Sequence, residues 1–169
     1  PRNGARIDAI RNRIEAEFAT DPRYPILLTS LMEAADRVDS TTGLQMAYLK
    51  QWAPRAYNDL ELRMPELLEG TGTTYQRDTN ALIADPATPR FDLVYLDPPY
   101  NQHRYFTNYH IWETLIRWDS PEAYGVAQKR VDARDSATHS AYNRKREMPQ
   151  ALQSLIAKVD TDTLVLSYN

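Results

Sequence analysis

The amino-acid sequence predicts an α/β fold in which a helical N-terminal segment precedes a region with a parallel sheet. In the first third of the chain, apolar residues recur at helical spacing and no strand pattern is evident. Two later apolar runs, residues 91–96 and 163–168, are short and nearly continuous, which is typical of buried parallel strands. Helical patterns separate these runs, so the order strand, helix, loop, helix, strand indicates a parallel arrangement.

Composition limits the class of protein. The 169 residues fit one domain, and 42% hydrophobic with 25% charged residues is typical of a soluble globular chain. There is no cysteine and there are three scattered histidines, so we expect no disulfide, no thiolate zinc site and no metal cluster. No apolar run approaches the ~18 residues of a membrane span and no signal pattern is evident, so we expect a cytoplasmic location. A net charge of −3 argues against an overall basic protein but not against a local basic patch.

Three helices are expected in the first third. The first covers residues 5–18, where one helical face carries Ile7, Ile10, Ile14 and Phe18. The second follows the breaks at Pro22 and Pro25 and is traced by Leu27, Leu28, Leu31, Ala35 and Val38. A third, short helix is expected over residues 44–49, between Gly43 and Pro54.

Further along the chain the apolar period changes. Alternation at residues 60–64 predicts a short strand or extended segment, and residues 73–76 are good strand formers. After the 91–96 run we expect a helix with one apolar side, formed by Tyr105, Tyr109, Trp112, Leu115 and Ile116. Residues 119–148 are polar and without clear period, which predicts a long loop, and Pro149 opens another helix.

The predicted sheet is small for the fold. The chain stops directly after a strand that should be interior, and two or three parallel strands would leave open edges and uncovered faces. We therefore expect a fragment, or a chain that needs a partner.

Asp97, Pro98, Pro99 and Tyr100 follow the first apolar run, at the place where α/β sheets bind their ligands. An exocyclic amine of a nucleobase is a poor nucleophile because its lone pair is delocalised into the ring. An aspartate is ionised at neutral pH, so Asp97 can accept one amine N–H while the Pro98 carbonyl accepts the other. This favours a pyramidal nitrogen that faces an incoming methyl group. The two prolines hold the carbonyl in place, and the Tyr100 ring can stack on the base.

The pattern predicts methyl transfer to an exocyclic base nitrogen from a reactive sulfonium donor. A base in a duplex cannot enter such a pocket, so it must be flipped out. The simpler alternative is a strand that ends in a rigid Pro-Pro turn, with Asp97 as a helix cap.

Two segments around this motif resemble a known family. LDPPYNQHRYFTNYHIWETLIRWD and the closing LVLSYN resemble the Dam-like and FokI-type N6-adenine-specific DNA methyltransferases, and the likeness extends less sharply through LLTSLMEAADRVDSTTGLQMAYLKQWAPR. The resemblance implies a partial Rossmann-like S-adenosylmethionine-dependent methyltransferase fold with a helical N-terminal insert. It also implies S-adenosylmethionine as donor and an adenine in duplex DNA as target. The catalytic and base-holding residues would be those of the DPPY motif, Asp97, Pro98, Pro99 and Tyr100.

Enzymes of this family carry an aromatic-x-Gly-x-Gly loop that cradles the methionine part of the donor. The only close glycine pair here, Gly70 and Gly72, follows no buried strand. We therefore expect the donor-binding segment to come from upstream of Pro1 or from another chain, and further strands to follow Asn169. Within this chain, residues 1–58 are expected to form a helical segment, a possible target-recognition insert, and residues 59–169 a partial α/β catalytic region.

Further site residues follow from the same resemblance. Asp78, with Asp97, is a candidate contact for the donor, at its adenine end; the alternative for Asp78 is a cap for the next helical turn. Three residues follow the motif closely enough to line the base pocket: Asn101, His103 and Tyr105. A histidine at a position such as His103 is more often a solvent-facing loop residue than a base. Ser167 and Asn169 should end the last strand at the same sheet edge as Asp97.

The polar loop contains a cluster of cations that could bind DNA phosphates, which would make binding salt-sensitive. The candidates are Lys129, Arg130, Arg144, Lys145 and Arg146, with Arg134 in the same loop. The alternative is a solvated, mobile loop. Three aromatic residues near Lys50 and Arg55 could belong to a target-recognition region or could pack in the core: Tyr48, Trp52 and Tyr57.

Three hypotheses for function remain open. The first is adenine methylation of DNA, with a cognate restriction endonuclease as a candidate partner. The second is methylation of an rRNA base, since DPPY-type motifs also occur there; the helical insert favours DNA because it looks like a recognition region. The third is a non-catalytic DNA-binding remnant without the donor loop.

Overall fold

The structure is a computed structural model that describes residues 2–47, 49–99 and 101–168. Its elements in chain order are α1 (Arg2–Phe18), α2 (Tyr24–Arg37), α3 (Thr79–Ile83), β1 (Phe91–Leu96), α4 (Tyr105–Asn108), α5 (His110–Arg117), β2 (Ala123–Tyr124), β3 (Lys129–Arg130), α6 (Met148–Lys158) and β4 (Thr161–Leu166). The chain divides into two compact units, Pro1–Glu69 with Tyr105–Ala133, and Gly70–Arg104 with Arg134–Asn169. This division does not coincide with the expected boundary at residue 58. In the part that the structure describes, no helix is both long and apolar enough to cross a membrane.

Two predicted helices, α1 and α2, form the body of the first unit. Their apolar faces meet in a buried cluster that also takes in α5; its members are Ile14, Leu28, Leu31 and Leu115. A second cluster, of Ala34, Val38 and Leu60, lies further along α2. The amphipathic pattern read from the sequence is therefore confirmed for both helices, because each buries the stripe that its 3.6-residue period defines.

Arg11 of α1 is fully buried and joins three elements of the first unit. Its guanidinium donates to the carbonyl oxygens of Leu115 (2.7 Å) and Ile116 (3.0 Å), in the last turn of α5. It also donates to Glu15 (2.8 Å) and to the Tyr24 hydroxyl (3.0 Å). The last carbonyls of a helix have no partner within it and carry partial negative charge, so a cation there satisfies and stabilises them.

Two segments of the first unit differ at least in part from the elements predicted for them. The prediction of a third short helix is wrong for residues 44–47, which form turns. Here the Gln45 backbone N–H donates to the Asn108 carbonyl (2.8 Å), and the Gln45 side chain accepts from the Ile111 N–H (2.8 Å). Tyr48 lies outside the described residues. Of the two alternatives for residues 60–64, a short strand or an extended segment, the strand is not formed. Carbonyls of this segment accept from α2 side chains, Ser30 to Arg63 (2.7 Å) and Arg37 to Glu61 (2.9 Å).

The predicted parallel sheet is the centre of the second unit. β1 and β4 pair in parallel, with Phe91 opposite Thr161 and Leu96 opposite Leu166. Helix α6 connects to β4 and covers one face of the pair, where Leu96 and Leu155 are buried. The prediction of an α/β arrangement with a parallel sheet is thereby confirmed.

The two strands are less buried than their composition indicates. Along β1, Val94 and Leu96 pack towards the buried cluster, whereas Leu93 and Tyr95 are 58% and 59% exposed. Successive side chains of a strand point to opposite faces, and α6 covers only one face of this pair. A nearly continuous apolar run is typical of a strand that is covered on both faces. Within the described residues, only one face of the β1–β4 pair is covered.

Three other segments differ from expectation. Residues 73–76 form no strand. The helix after the DPPY motif is interrupted at Tyr109, whose φ of −124° and ψ of 31° depart from helical values, and this break separates α4 from α5. The polar segment 119–148 is not one loop, because it contains the antiparallel hairpin β2–β3 and several 3₁₀ turns, including Ala141–Asn143.

We predict that Arg11→Met lowers the free energy of unfolding by about 2–4 kcal/mol, because two helix-end carbonyls lose their donor inside the protein. Urea unfolding followed by circular dichroism measures the change. The matched control is Arg13→Met on the same helix, since Arg13 is exposed and its pair with Glu17 should contribute less than about 0.5 kcal/mol. Equal effects of the two substitutions would contradict the role assigned to Arg11.

Candidate active site

Asp97 lies directly beyond the carboxyl end of β1. The Leu96 carbonyl, the last of that strand, accepts a hydrogen bond from the Ser167 backbone N–H (2.9 Å), so the parallel ladder continues to the residue before Asp97. Because the carboxyl ends of parallel strands share one edge of the sheet, Asp97 and Ser167 lie at the same edge, as the sequence predicts. Asn169 and Tyr100 lie outside the described residues.

A cavity of about 350 Å³ opens at this edge of the second unit. Its lining residues are Arg77, Asp78, Thr79, Tyr95, Leu96, Asp97, Pro98, Pro99, Ser140, Tyr142 and Leu155. Asp97 is exposed and the two prolines are half-buried. The structure therefore brings together four predicted site residues, and the carboxylate is not packed inside the protein.

Asp78 shares this cavity with Asp97 and begins helix α3. Its Oδ1 accepts a hydrogen bond from the Ala81 backbone N–H (2.9 Å), which satisfies one of the free donors of the first helical turn. The capping alternative for Asp78 is confirmed. A carboxylate has two oxygens, so Oδ2 can still accept from a ligand in the cavity.

Tyr142 forms part of the cavity wall and was missed in the sequence analysis. Its side chain is buried, and its hydroxyl donates to Asn80 Oδ1 (2.7 Å), while Asn80 Nδ2 donates to the Ala151 carbonyl of α6 (2.9 Å). Burial raises the pKa of the Tyr142 hydroxyl, and the nearby charge of Asp78 raises it further. The phenol therefore stays protonated at neutral pH and remains a donor to Asn80, whose own amide links α3 to α6.

Asn143 holds the backbone that follows the motif. Its Nδ2 donates to the carbonyls of Asn101 (2.8 Å) and His103 (3.1 Å), about forty residues earlier in the chain. The Asn101 side chain in turn accepts from the His103 backbone N–H (2.8 Å). Asn101 and His103 are exposed, and neither lines the cavity. No sequence pattern signals this contact, since a side-chain bond to a distant carbonyl leaves no period.

The remaining predicted DNA contacts divide between the two units. Tyr105 and Lys129 belong to the first unit, where the exposed Tyr105 ring stacks on Tyr109 with 5.6 Å between centroids. Arg144, Lys145 and Arg146 belong to the second unit and are exposed, with Arg144 paired to Glu147 (2.8 Å). The predicted aromatic residues Trp52 and Tyr57 are exposed in the first unit, so the core alternative is wrong for both.

Arg130 does not fit a role in phosphate binding. Its side chain is 2% exposed and forms ion pairs with Asp119 (2.6 Å) and Asp132 (2.8 Å), and Asp119 accepts at both oxygens. The guanidinium lowers the pKa of both carboxyl groups, and they raise its own. A buried guanidinium engaged by two carboxylates serves the packing of the β2–β3 hairpin and is not free to meet a phosphate.

The cavity combines the Asp97 carboxylate, two prolines and the aromatic residues Tyr95 and Tyr142 at the end of a parallel strand. A carboxylate in such a cavity can accept a hydrogen bond from an amino group of a small-molecule ligand. Fold and cavity thus define an α/β protein with a DPPY site at its sheet edge. The chain belongs to the D12 class N6 adenine-specific DNA methyltransferase family, whose profile matches residues 1–161.

Curated relatives agree with this family. The chain is 35% identical to Type II methyltransferase M.FokI of Planomicrobium okeanokoites and 33% identical to Modification methylase StsI of Streptococcus sanguinis, in each case over 99% of this chain and 26% of the relative. It is 34% identical to Type II methyltransferase M.NlaIII of Neisseria lactamica, over 99% of this chain and 49% of the relative. The chain therefore spans between about a quarter and a half of these relatives. No solved structure gives a significant match.

We predict that Arg130→Gln lowers the free energy of unfolding by about 3 kcal/mol at pH 7. The two carboxyl groups have lowered pKa values in the folded protein, so their contribution is present above the unfolded pKa of about 3.9 and is lost as the pH falls through the folded values. The difference between wild type and variant should therefore shrink at pH 3. Urea unfolding at both pH values measures it, with exposed Lys145→Gln as control. A difference as large at pH 3 as at pH 7 would contradict the assigned partners.

Proposed function

We propose that the protein transfers a methyl group from S-adenosylmethionine to the exocyclic N6 of an adenine flipped out of duplex DNA. The observation that carries this proposal is the position of Asp97, exposed at the carboxyl end of β1 in a cavity that Pro98 and Pro99 also line. Membership of an adenine-specific DNA methyltransferase family supports it. The proposed fold of the whole enzyme is Rossmann-like, with this chain contributing part of the sheet.

In the proposed reaction, the DPPY residues prepare the amino group. The Asp97 carboxylate accepts one N–H and the Pro98 carbonyl accepts the other. These two bonds favour a pyramidal nitrogen, whose lone pair is no longer delocalised into the ring. Two consecutive prolines limit the backbone torsions, so the carbonyl is in place before the base arrives. We assign Tyr100 to stacking on the flipped base, which contributes about 1–3 kcal/mol in comparable sites.

The residues of the cavity fit part of the proposed donor. Its volume of about 350 Å³ lies at the lower end of the range for small-molecule sites, which is roughly 300–1,000 Å³. Asp78 and Asp97 suit the hydroxyl, amino and sulfonium groups of S-adenosylmethionine, and Tyr95 and Leu155 offer apolar surface to its adenine. When bound, this cofactor supplies an electrophilic methyl group. The role of Asp78 would be to hold its adenosine end through Oδ2, and we propose that a segment outside this chain holds its methionine part.

Exposed cations of the second unit support a DNA substrate. Lys145 and Arg146 follow the turn that carries Tyr142 on the cavity wall, so they are the proposed phosphate contacts, together with Arg144. Further proposed DNA contacts are Asn101, His103, Tyr105 and Lys129. We propose that residues 1–58 form the target-recognition insert and residues 59–169 the catalytic region. The proposed partner is a cognate restriction endonuclease, and the proposed location is the cytoplasm.

A transfer assay with labelled S-adenosylmethionine tests the function directly. The intact protein is incubated with duplex DNA, with rRNA and without nucleic acid, and methylated bases are identified by mass spectrometry. The proposal expects N6-methyladenine in DNA alone. Product in rRNA alone would favour the rRNA alternative, and binding of DNA without product would favour a non-catalytic remnant.

We predict that Asp97→Ala lowers kcat of methyl transfer by at least about 100-fold, because the amine loses a charged acceptor at the moment of reaction. DNA affinity, measured by fluorescence anisotropy, should change less than about threefold. Asp92→Ala on the same strand is the matched control, since Asp92 is exposed and does not line the cavity. Turnover near the wild-type value in the Asp97 variant would rule out the role given to this carboxylate.

We predict that the double substitution Lys145→Ala and Arg146→Ala weakens binding to all DNA sequences alike. Each lost phosphate contact should reduce the slope of log K against log salt concentration by about 1. The slope is obtained from anisotropy titrations at salt concentrations between roughly 50 and 300 mM. Lys158→Ala, an exposed cation at the end of α6, is the control, and an unchanged slope in the double variant would remove these residues from the DNA contact surface.

A further inference from the structure

We infer that Asn143 is a positioning residue for methyl transfer, because it ties the backbone after the DPPY motif to the turn that lines the cavity. The inference rests on the proposed function and adds to it a residue outside the motif. The observation is one side-chain amide that donates to two carbonyls, at 2.8 Å and 3.1 Å, in the segment that directly follows the motif.

The need for such a contact follows from the local backbone. Residues 97–99 and 101–104 belong to no helix or strand, so no ladder of backbone hydrogen bonds holds the motif on its C-terminal side. On the N-terminal side, β1 and the Ser167 N–H fix the chain as far as Leu96. Asn143 supplies a restraint on this side, since its two amide hydrogens match the two carbonyls of Asn101 and His103.

The turn that presents Asn143 is itself anchored. Ser140 caps the 3₁₀ turn Ala141–Asn143 by accepting from the Tyr142 backbone N–H (3.2 Å). The buried Tyr142 reaches Asn80 in α3, and Asn80 reaches Ala151 in α6. One short segment thus connects the loop after the motif with α3 and α6, and it contributes Ser140 and Tyr142 to the cavity wall.

The expected consequence is a loss of turnover and not of donor affinity. Acceptors for the amine must be placed to within a fraction of an ångström, and a shift of about 1 Å lowers rates by up to about 100-fold. If Asn143 is removed, the loop can move while Asp78 keeps its position, because Asp78 is held by its own helix. Asn143 touches neither base nor donor in this scheme, so its effect passes through the motif.

The test compares Asn143→Ala and Asn143→Asp in the intact protein. The aspartate has the shape of the asparagine but presents an acceptor to two carbonyl oxygens, so the contact becomes repulsive. We expect kcat on duplex DNA to fall about 10-fold in the alanine variant and about 100-fold in the aspartate variant. The Kd for S-adenosylmethionine, measured by calorimetry, should stay within about twofold. Gln150→Ala, an exposed amide on α6 outside the cavity, is the control and should leave all values unchanged.

The outcomes separate this inference from the function on which it rests. If wild type methylates DNA and the aspartate variant keeps a kcat within twofold of it, the positioning role is overturned while the function stands. If wild type does not methylate DNA, both are overturned. Thermal unfolding checks that the variants fold. Should either fail, Ser140→Ala takes its place because it removes the cap of the turn; since Ser140 also lines the cavity, the Kd for S-adenosylmethionine is measured beside kcat. A kcat unchanged in folded Ser140→Ala would also count against the inference.

Discussion

The parallel ladder between β1 and β4 is the interaction on which the candidate site depends. It extends through Leu96 to the Ser167 backbone N–H, so the strand is fixed up to the residue before Asp97. Asp97 directly follows this fixed strand end. Its carboxylate is exposed at the sheet edge, and its backbone is anchored through the residue before it. The buried contact of Leu96 with Leu155 and Tyr142 holds the same strand end from one face. The cavity exists at this position because strand, helix and turn converge on that end.

Where no helix or strand supplies backbone hydrogen bonds, single polar side chains provide the stabilising contacts. Asp78 caps a helix of the cavity wall, and Asn143 satisfies two loop carbonyls. In the first unit, Arg11 satisfies the last carbonyls of α5, and Arg130 neutralises two carboxylates around the hairpin. For Arg11 and Arg130 the reason is burial, since buried donors and acceptors must find partners within the protein.

Family membership gives the site its chemical context. The profile of an adenine-specific DNA methyltransferase family matches residues 1–161, and the relatives named above are matched over 26–49% of their length. This chain contains the DPPY motif and the strand that presents it, and the proposed function adds donor contacts at Asp78 and Asp97. The proposed methyl transfer gives the exposed Asp97 carboxylate and the cavity around it a role, which a Pro-Pro turn with a capping aspartate does not.

The sequence by itself determined the helices α1, α2 and α6, the parallel strands and the place of the DPPY motif. Each of these is signalled by the spacing of apolar residues along a short segment or by a run of adjacent residues. Only the tertiary structure decided that Gln45 bonds to α5 and forms no helix, that Arg130 is buried between two aspartates, and that Tyr142 and Asn143 complete the site. Apart from Arg130 and Asp132, which are two positions apart, these contacts join residues 11 to 66 positions apart through single side chains. Such pairings leave no repeating pattern along the chain, so only the folded arrangement shows them.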